Sequence, residues 1–211
     1  MRILCIGDSN TWGYNPQNGL RHANRWTKVL ATLMPENEII EEGLNGRTIL
    51  SKDLIIPERC GISALKLLLM SHKPLDYVVV MLGTNELKVG SNRNINYIAD
   101  GIEEFINIIN SKELWQRFGI PKILIISPVL VRDELGKNGN VFDNYDKESV
   151  TISKMLAPEF LKICSKHDIS FLNAADYAEA SLADCIHMDE ENHKKLAVAI
   201  YKKLIEIDKN K

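Results

Sequence analysis

The sequence predicts an α/β fold, a three-layer α/β/α sandwich built on a five-stranded parallel sheet with helices on both faces. Two observations support this prediction. Short apolar runs alternate with helix-like segments along the chain, and the run at 77–82 (YVVVML) has no polar face. A strand that is apolar on both faces is typical of a parallel sheet covered by helices. The alternation of strands and helices then predicts right-handed crossovers between neighbouring strands.

Each element is predicted from its own pattern. Strands are expected where short apolar runs end at a turn signal, at 2–6, 38–42, 77–82, 122–126 and 170–173. Helices are expected where apolar residues recur every three or four positions, at 25–34, 61–71, 94–110, 113–118, 147–167 and 190–207. Clusters of turn-forming residues predict loops at 11–24 and 134–143.

Length and composition favour an ordinary globular protein. The 211 residues contain no repeat and no long linker, so a single domain over 1–211 is expected. Hydrophobic residues make up 45% and the net charge is -2, which leaves no basic surface for nucleic acid or an anionic membrane. No apolar run approaches the roughly 18 residues of a membrane-spanning helix. We therefore expect neither a nucleic-acid nor a membrane partner.

The cysteines predict a cytoplasmic protein. Cys5, Cys60, Cys164 and Cys185 form no CxxC pair and have no framework spacing, so we expect reduced thiols. The apolar run at 3–6 is too short for the core of a signal peptide. No spacing of metal-ligating residues indicates a metal site, and no cofactor is expected. Histidines without spacing partners are predicted to lie on the surface, namely His22, His72, His167 and His193.

Polar residues follow directly after several strands, and the topology of a parallel sheet brings such residues to one edge. The four blocks are Gly7-Asp8-Ser9-Asn10, Gly43-Leu44-Asn45-Gly46-Arg47, Gly83-Thr84-Asn85-Glu86 and, after the last strand, Asp184-Cys185-Ile186-His187. Acyl transfer requires a nucleophile, a base, a group that orients the base, and donors for the oxyanion. The four blocks contain residues suited to every one of these tasks.

Ser9 is the candidate nucleophile, on a sharp turn between a strand and a helix, and His187 is its candidate base. Asp184 precedes the histidine by three residues, so one tight turn can bring its carboxylate to the second imidazole nitrogen. The candidate oxyanion donors are the backbone N–H groups of Ser9 and Gly43 and the side-chain amide of Asn85. A glycine suits this role because a residue without Cβ lets the backbone approach a substrate closely.

These blocks, in this order, resemble those of the SGNH hydrolases, also called the GDSL esterase/lipase family. The match runs from Gly7 to His187 and covers nearly the whole chain. It implies a flavodoxin-like fold, with the nucleophile and oxyanion donors assigned as above and Asp184 completing the triad. The nucleophile block has the sequence GDSN instead of GDSL.

Longer matches look like the arylesterase/acyltransferase branch of that family: RILCIGDSNTWG at 2–13, RW at 25–26, EEGL at 41–44 and MLGTN at 81–85. The likeness implies a serine esterase for small acyl groups, acetyl in particular, that can also transfer the acyl group to an alcohol. It further implies a homo-oligomer. By this likeness Trp12, Asn45, Leu87 and Ile186 would lie near the substrate.

Each block also has a plainer interpretation. Gly-Asp-Ser is ordinary turn chemistry, Asn85 can simply close a turn after a strand, and Asp184-x-x-His187 can be a loop that leads into the final helix. The order of the four blocks favours the catalytic interpretation over these. Cys185 is close enough to the base to be considered as a thiol nucleophile, but a small apolar filler is the favoured interpretation. Asp8 is interpreted as a structural turn residue.

A non-enzymatic module that binds a small molecule, for instance a nucleotide, is the second functional hypothesis. A phosphate cradle needs a loop such as GxxxxGK[ST] or GxGxxG after a strand. The nearest approach, Gly43-x-x-Gly46, lacks the lysine and the third glycine. The prediction is therefore a serine esterase that hydrolyses small acyl esters, with Trp12 in its pocket and Trp26 in the core.

Overall fold

A five-stranded parallel sheet forms the centre of the fold. The computed structural model describes residues 1–52, 56–137 and 144–209. The strands are β1 (Arg2–Gly7), β2 (Glu38–Gly43), β3 (Tyr77–Met81), β4 (Lys122–Ser127) and β5 (Ser170–Asn173). Their spatial order is β2-β1-β3-β4-β5, and every neighbouring pair is parallel. This is the flavodoxin-like order, so the predicted fold class is confirmed.

Among the described residues, six helices lie between the strands in chain order, and a seventh follows β5. They are α1 (Ser9–Trp12), α2 (Trp26–Leu33), α3 (Gly61–His72), α4 (Ile95–Ile109), α5 (Lys112–Trp115), α6 (Lys147–Lys166) and α7 (Glu190–Lys209). Short 3-10 turns occur at Pro57–Arg59, Thr84–Leu87 and Ala174–Asp176. The sequence pattern did not predict α1 or these turns, because three or four residues are too few to show a helical period. Of the predicted loop 134–143, residues 138–143 lie outside the described residues.

Alternate residues of the strands pack into two separate cores, because successive side chains point to opposite faces of a sheet. Leu4 and Ile6 belong to the core that α3, α4 and α6 cover. Ile3 and Cys5 belong to the core that α2 and α7 cover, together with Trp26, which is fully buried as predicted. The three layers of the sandwich therefore follow directly from the strand pattern.

The carboxyl ends of three strands finish at one level. Gly7, the last residue of β1, is in register with Gly43 of β2 and Met81 of β3. The strand order reverses between β1 and β3, and a crevice at such a point is the usual place for a site in this architecture. β5 lies three strands from β1. The chain after β5 therefore has to run back along the carboxyl edge of the sheet to reach the end of β1.

In the described part of the chain, no helix has both the length and the apolar character that a membrane crossing requires.

Candidate active site

Ser9 begins α1 directly after the turn that ends β1. The carboxylate of Asp8 caps this short helix by accepting the backbone N–H of Asn10 at 2.9 Å. The turn is tight, because a Cβ added at Gly7 would lie 2.0 Å from the hydroxyl oxygen of Thr11. Asp8 therefore has the structural role that was predicted for it, and Ser9 is held at the sheet edge.

A chain of hydrogen bonds joins Ser9, His187 and Asp184. Ser9 Oγ lies 2.8 Å from His187 Nε2, and His187 Nδ1 lies 2.5 Å from Asp184 Oδ2. An ionised carboxylate can only accept hydrogen bonds, so it selects the tautomer with the proton on Nδ1. Nε2 then accepts the hydroxyl proton of Ser9. His187 is 4% exposed and Ser9 7%, so this chain of groups is nearly screened from water.

The turn that carries His187 is built by Asp184. Its second carboxylate oxygen accepts the backbone N–H groups of Ile186 at 3.0 Å and His187 at 2.9 Å. Cys185, in the middle of the turn, has a left-handed backbone with a φ of 68°. Its side chain is fully buried in the apolar core. A substrate cannot reach such a thiol, which agrees with the interpretation of Cys185 as a filler.

Asn85 lies on the 3-10 turn after β3, with its amide held on two sides. Its Nδ2 donates to the carbonyl oxygen of Arg47 at 2.9 Å. The hydroxyl of Tyr145 donates to the carbonyl of Thr84 at 3.2 Å and lies 3.5 Å from Asn85 Oδ1. Because an amide NH₂ has two hydrogens, Arg47 takes only one of the two available donors.

Gly43 ends β2 beside β1 and packs against α1. Leu44 N–H donates to the Gly7 carbonyl of β1 at 3.1 Å. Successive N–H groups of an extended strand point in opposite directions, so the N–H of Gly43 points away from β1. The missing Cβ makes room for the backbone of Trp12, since an added Cβ would lie 2.3 Å from Trp12 N. The space beside the Gly43 Cα is therefore filled by the backbone of α1.

A second glycine, in the loop after β2, is next to a residue that Asn85 contacts. Gly46 has a positive φ of 81° and directly precedes Arg47, whose carbonyl Asn85 contacts. The guanidinium of Arg47 donates to the Gly7 carbonyl at 3.2 Å and to the carbonyl of Glu42. Arg47 thus joins the ends of β1 and β2 to the loop of Asn85. Sequence reasoning did not assign it this role.

Two buried carboxyl groups flank the candidate site. Burial raises the pKa of Asp8, and it raises the pKa of Glu86 to about 7. Glu86 Oε1 accepts the backbone N–H of Ile49, so this side chain holds the segment that follows Arg47. Burial lowers the pKa of Arg47.

The four residues that the family likeness places near the substrate differ in exposure. Trp12 is half-buried, and the guanidinium carbon of Arg21 lies 5.3 Å from the centre of its ring. Asn45 is also half-buried, and its backbone carbonyl accepts a hydrogen bond from Arg59 Nε at 3.1 Å. Leu87 and Ile186 are each 1% exposed and pack in the apolar core. Contact of these four with a substrate stays a prediction.

Two aromatic residues beside the candidate site had no signal in the sequence. Tyr145 lies 60 residues from Asn85 along the chain. Tyr14, in the loop after α1, packs its ring against that of His187. Neither belongs to a recognisable block, and only the folded chain brings them to the site.

The prediction that His193 lies on the surface is wrong. Its ring is fully buried beneath α2, where Nδ1 accepts the backbone N–H of Trp26 at 3.4 Å. Burial lowers its pKa to about 3, so the ring is neutral. Within the described ranges no three or more His, Cys, Asp or Glu side chains are grouped so that they could hold a metal ion.

Comparison with known proteins supports the same chemistry. Residues 5–195 match the model of the GDSL-like lipase/acylhydrolase family. The structure is similar to that of the native aryl esterase of M. smegmatis, with 32% identity, a TM-score of 0.89, and 97% of this chain and 98% of that chain covered. It is also similar to a carbohydrate acetylesterase family member from Sinorhizobium meliloti, with 31% identity, a TM-score of 0.86, and 96% of each chain covered. Curated proteins give no significant match.

Proposed function

The chain belongs to the GDSL-like lipase/acylhydrolase family and is a carboxylic-ester hydrolase, and from that premise we propose a serine mechanism. Ser9 is the nucleophile, His187 the general base and Asp184 the group that orients the base. The observation that carries the proposal is the continuous hydrogen-bonded chain from Ser9 Oγ through His187 to Asp184. It joins residues 178 positions apart, and an ionised Asp184 carboxylate favours the tautomer that the reaction needs.

In the first half of the reaction, Ser9 Oγ attacks the ester carbonyl while His187 Nε2 takes its proton. The imidazolium formed is stabilised by the Asp184 carboxylate on Nδ1. The tetrahedral intermediate then collapses: the ester C–O bond breaks, and His187 gives its proton to the leaving alcohol. The acyl group remains on Ser9. In the second half, His187 activates water in the same way, and the acid is released.

The developing oxyanion needs donors beside Ser9. We assign the Ser9 N–H and the remaining Nδ2 hydrogen of Asn85 to this role. A third donor comes from the end of β2 or from the loop that follows it. The sequence assigned it to Gly43, and the contact of Asn85 with Arg47 favours Gly46 instead.

We propose small acyl esters, acetyl esters above all, as substrates. Only a small part of Ser9 and of His187 is exposed. A substrate that reaches Ser9 through so small an opening is expected to carry a short acyl group. The similar proteins of known structure are named as an aryl esterase and a carbohydrate acetylesterase. Acyl transfer to an alcohol follows from the same intermediate, since an alcohol can replace water in its breakdown. The non-enzymatic binding module is not favoured, because the family match is to a family of hydrolases.

Hydrolysis of p-nitrophenyl acetate by the purified protein and its Ser9→Ala variant tests the mechanism. We expect activity in the wild type and a loss of about 10⁴-fold or more in the variant. Unchanged activity in Ser9→Ala would refute the assignment. The matched control is Ser63→Ala on the exposed face of α3, which should leave the activity unaltered.

A series of p-nitrophenyl esters from acetyl to octanoyl tests the acyl group. We expect kcat/KM to fall sharply beyond butyryl. Equal rates for acetyl and octanoyl would contradict the small-acyl proposal and leave the serine mechanism untouched. Added alcohols in the same assay measure transfer by the yield of the new ester.

We also propose a homo-oligomer in the cytoplasm. The family likeness supports the oligomer, and the four cysteines, all of them buried, suit a reducing compartment. Light scattering on the size-exclusion peak tests the assembly, and a monomeric mass would refute it.

A further inference from the structure

Asn10, the residue after the proposed nucleophile, binds the chain on both sides of His187. Its Oδ1 accepts the backbone N–H of Met188 at 3.0 Å, and its Nδ2 donates to the backbone carbonyl of Ile186 at 3.3 Å. The side chain is almost fully buried. One amide on the helix that carries Ser9 therefore bonds the residues before and after the histidine; this pair of hydrogen bonds is called the Asn10 bracket below.

Besides its bond to Ser9, the His187 turn forms hydrogen bonds within itself and with the loop after β4, where the Arg132 N–H donates to the Cys185 carbonyl at 3.0 Å. Asp184 accepts the N–H groups of Ile186 and His187, and the Ser181 N–H donates to the His187 carbonyl at 2.7 Å. These bonds set the shape of the turn, but not its distance from α1. That distance matters, because the turn comes after β5 and must reach β1 three strands away.

The chemistry of the Asn10 bracket requires an amide. Met188 N–H needs an acceptor and the Ile186 carbonyl needs a donor, and the Asn10 side chain supplies both from one planar group. Leucine, the residue in the motif that names the family, is similar in size and can make neither bond. Aspartate keeps the acceptor but places a negative charge against a carbonyl oxygen.

We propose that Asn10 is a positioning residue that sets the distance between Ser9 Oγ and His187 Nε2. The inference rests on the proposed serine mechanism. A displacement of about 1 Å between reacting groups costs up to about 100-fold in rate. Loss of the Asn10 bracket should therefore lower kcat and leave KM almost unchanged, since Asn10 is almost fully buried and its amide is engaged by the backbone on both sides of His187.

The test compares Asn10→Leu with Asn173→Leu, using p-nitrophenyl acetate kinetics and urea unfolding for each. Asn173 is the matched control: it lies at the same edge on β5, accepts Ser127 Oγ at 2.9 Å and the Ala175 N–H at 3.3 Å, and donates to Asp176. We expect both variants to lose stability. Asn10→Leu alone should lose at least about 10-fold in kcat, with KM within about two-fold of the wild type.

Asn10→Asp supplies a second readout and suffices if the leucine variant does not fold. It keeps the bond to Met188 and places a carboxylate against the backbone of the His187 turn, where a negative charge favours the charged form of His187. The acidic limb of the kcat/KM profile should therefore move to higher pH, and kcat should fall. An unshifted profile with wild-type kcat would overturn the inference.

The outcomes also separate this inference from the proposed function. Activity that survives in Ser9→Ala refutes the serine mechanism and the inference with it. Activity lost in Ser9→Ala but retained in full by Asn10→Leu refutes only the positioning role. An equal fall of kcat in Asn10→Leu and Asn173→Leu would likewise overturn it, because a general loss of stability would then explain both.

Discussion

The ring of Tyr14 lies against the ring of His187, with centroids 4.6 Å apart and planes inclined by 50°. Tyr14 comes from the loop directly after α1, so the helix of the proposed nucleophile and the turn of the proposed base share an aromatic contact. Such a contact restricts rotation of the imidazole and covers one of its faces.

Replacement of Tyr14 by alanine should lower kcat/KM by about 2- to 12-fold, because an aromatic pair is worth roughly 0.5–1.5 kcal/mol. Tyr14→Phe keeps the ring and should retain most of the activity. The assay is p-nitrophenyl acetate hydrolysis, with Tyr177→Ala, an exposed tyrosine, as the control. Full activity in Tyr14→Ala would show that the contact does not matter.

Gly43→Ala should destabilise the fold, because the added Cβ would lie 2.3 Å from Trp12 N and 2.6 Å from its Cα. Overpacking against backbone costs roughly 1–3 kcal/mol, equivalent to a fall in Tm of about 2–12 °C for a chain of this size. Gly119→Ala is the control, since a Cβ there has no described atom within 4 Å. Calorimetry should separate the two, and equal Tm values would contradict the packing argument.

Asn85→Ala should lower kcat by about 10²–10³-fold, the usual cost of one oxyanion donor. The control is Asn94→Ala, which removes the side-chain cap of α4 and should cost about 1 kcal/mol in stability without changing kcat. Tyr145→Phe, which leaves the Asn85 amide in place, should have a smaller effect than Asn85→Ala. The oxyanion assignment fails if Asn85→Ala and Asn94→Ala have the same kcat.

Glu86 should make stability depend on pH. Burial raises its pKa from 4.5 to about 7, so between these values the folded protein keeps a proton that the unfolded chain has released. The free energy of unfolding therefore falls as the pH rises through this window, with a slope of up to about 1.4 kcal/mol per pH unit. The contribution is fully present below pH 4.5.

Urea unfolding of the wild type and Glu86→Gln across this window measures the effect. Glutamine can still accept the N–H of Ile49, so the variant should fold and show a shallower slope. Identical slopes in the two proteins would exclude Glu86 as the source.

The strands and long helices were predictable because their patterns are local. The run at 77–82 consists of apolar residues only, which predicts a buried strand. The apolar residues of α4 recur at helical spacing over fifteen residues. The four-residue α1 has no such pattern. It depends on Asp8 as a cap and on Gly43, which makes room for it across the sheet edge.

The candidate site was predictable as far as its residues form blocks at strand ends. Ser9, His187 and Asp184 could be named because the topology and the three-residue spacing constrain them. The contacts that orient these groups come from side chains with no local signal, such as Tyr14 and Tyr145. The position of Gly43 depends on the direction of one N–H group, which a sequence motif does not specify.

The pairing of Ser9 with His187 has a consequence for the nascent chain. The serine leaves the ribosome 178 residues before its partner, about 10 to 35 s earlier at synthesis rates of roughly 5–20 residues per second. Throughout that interval the growing polypeptide carries a hydroxyl that has no base to activate it. Esterase activity should therefore first appear when His187 has been translated and its turn has folded back onto β1.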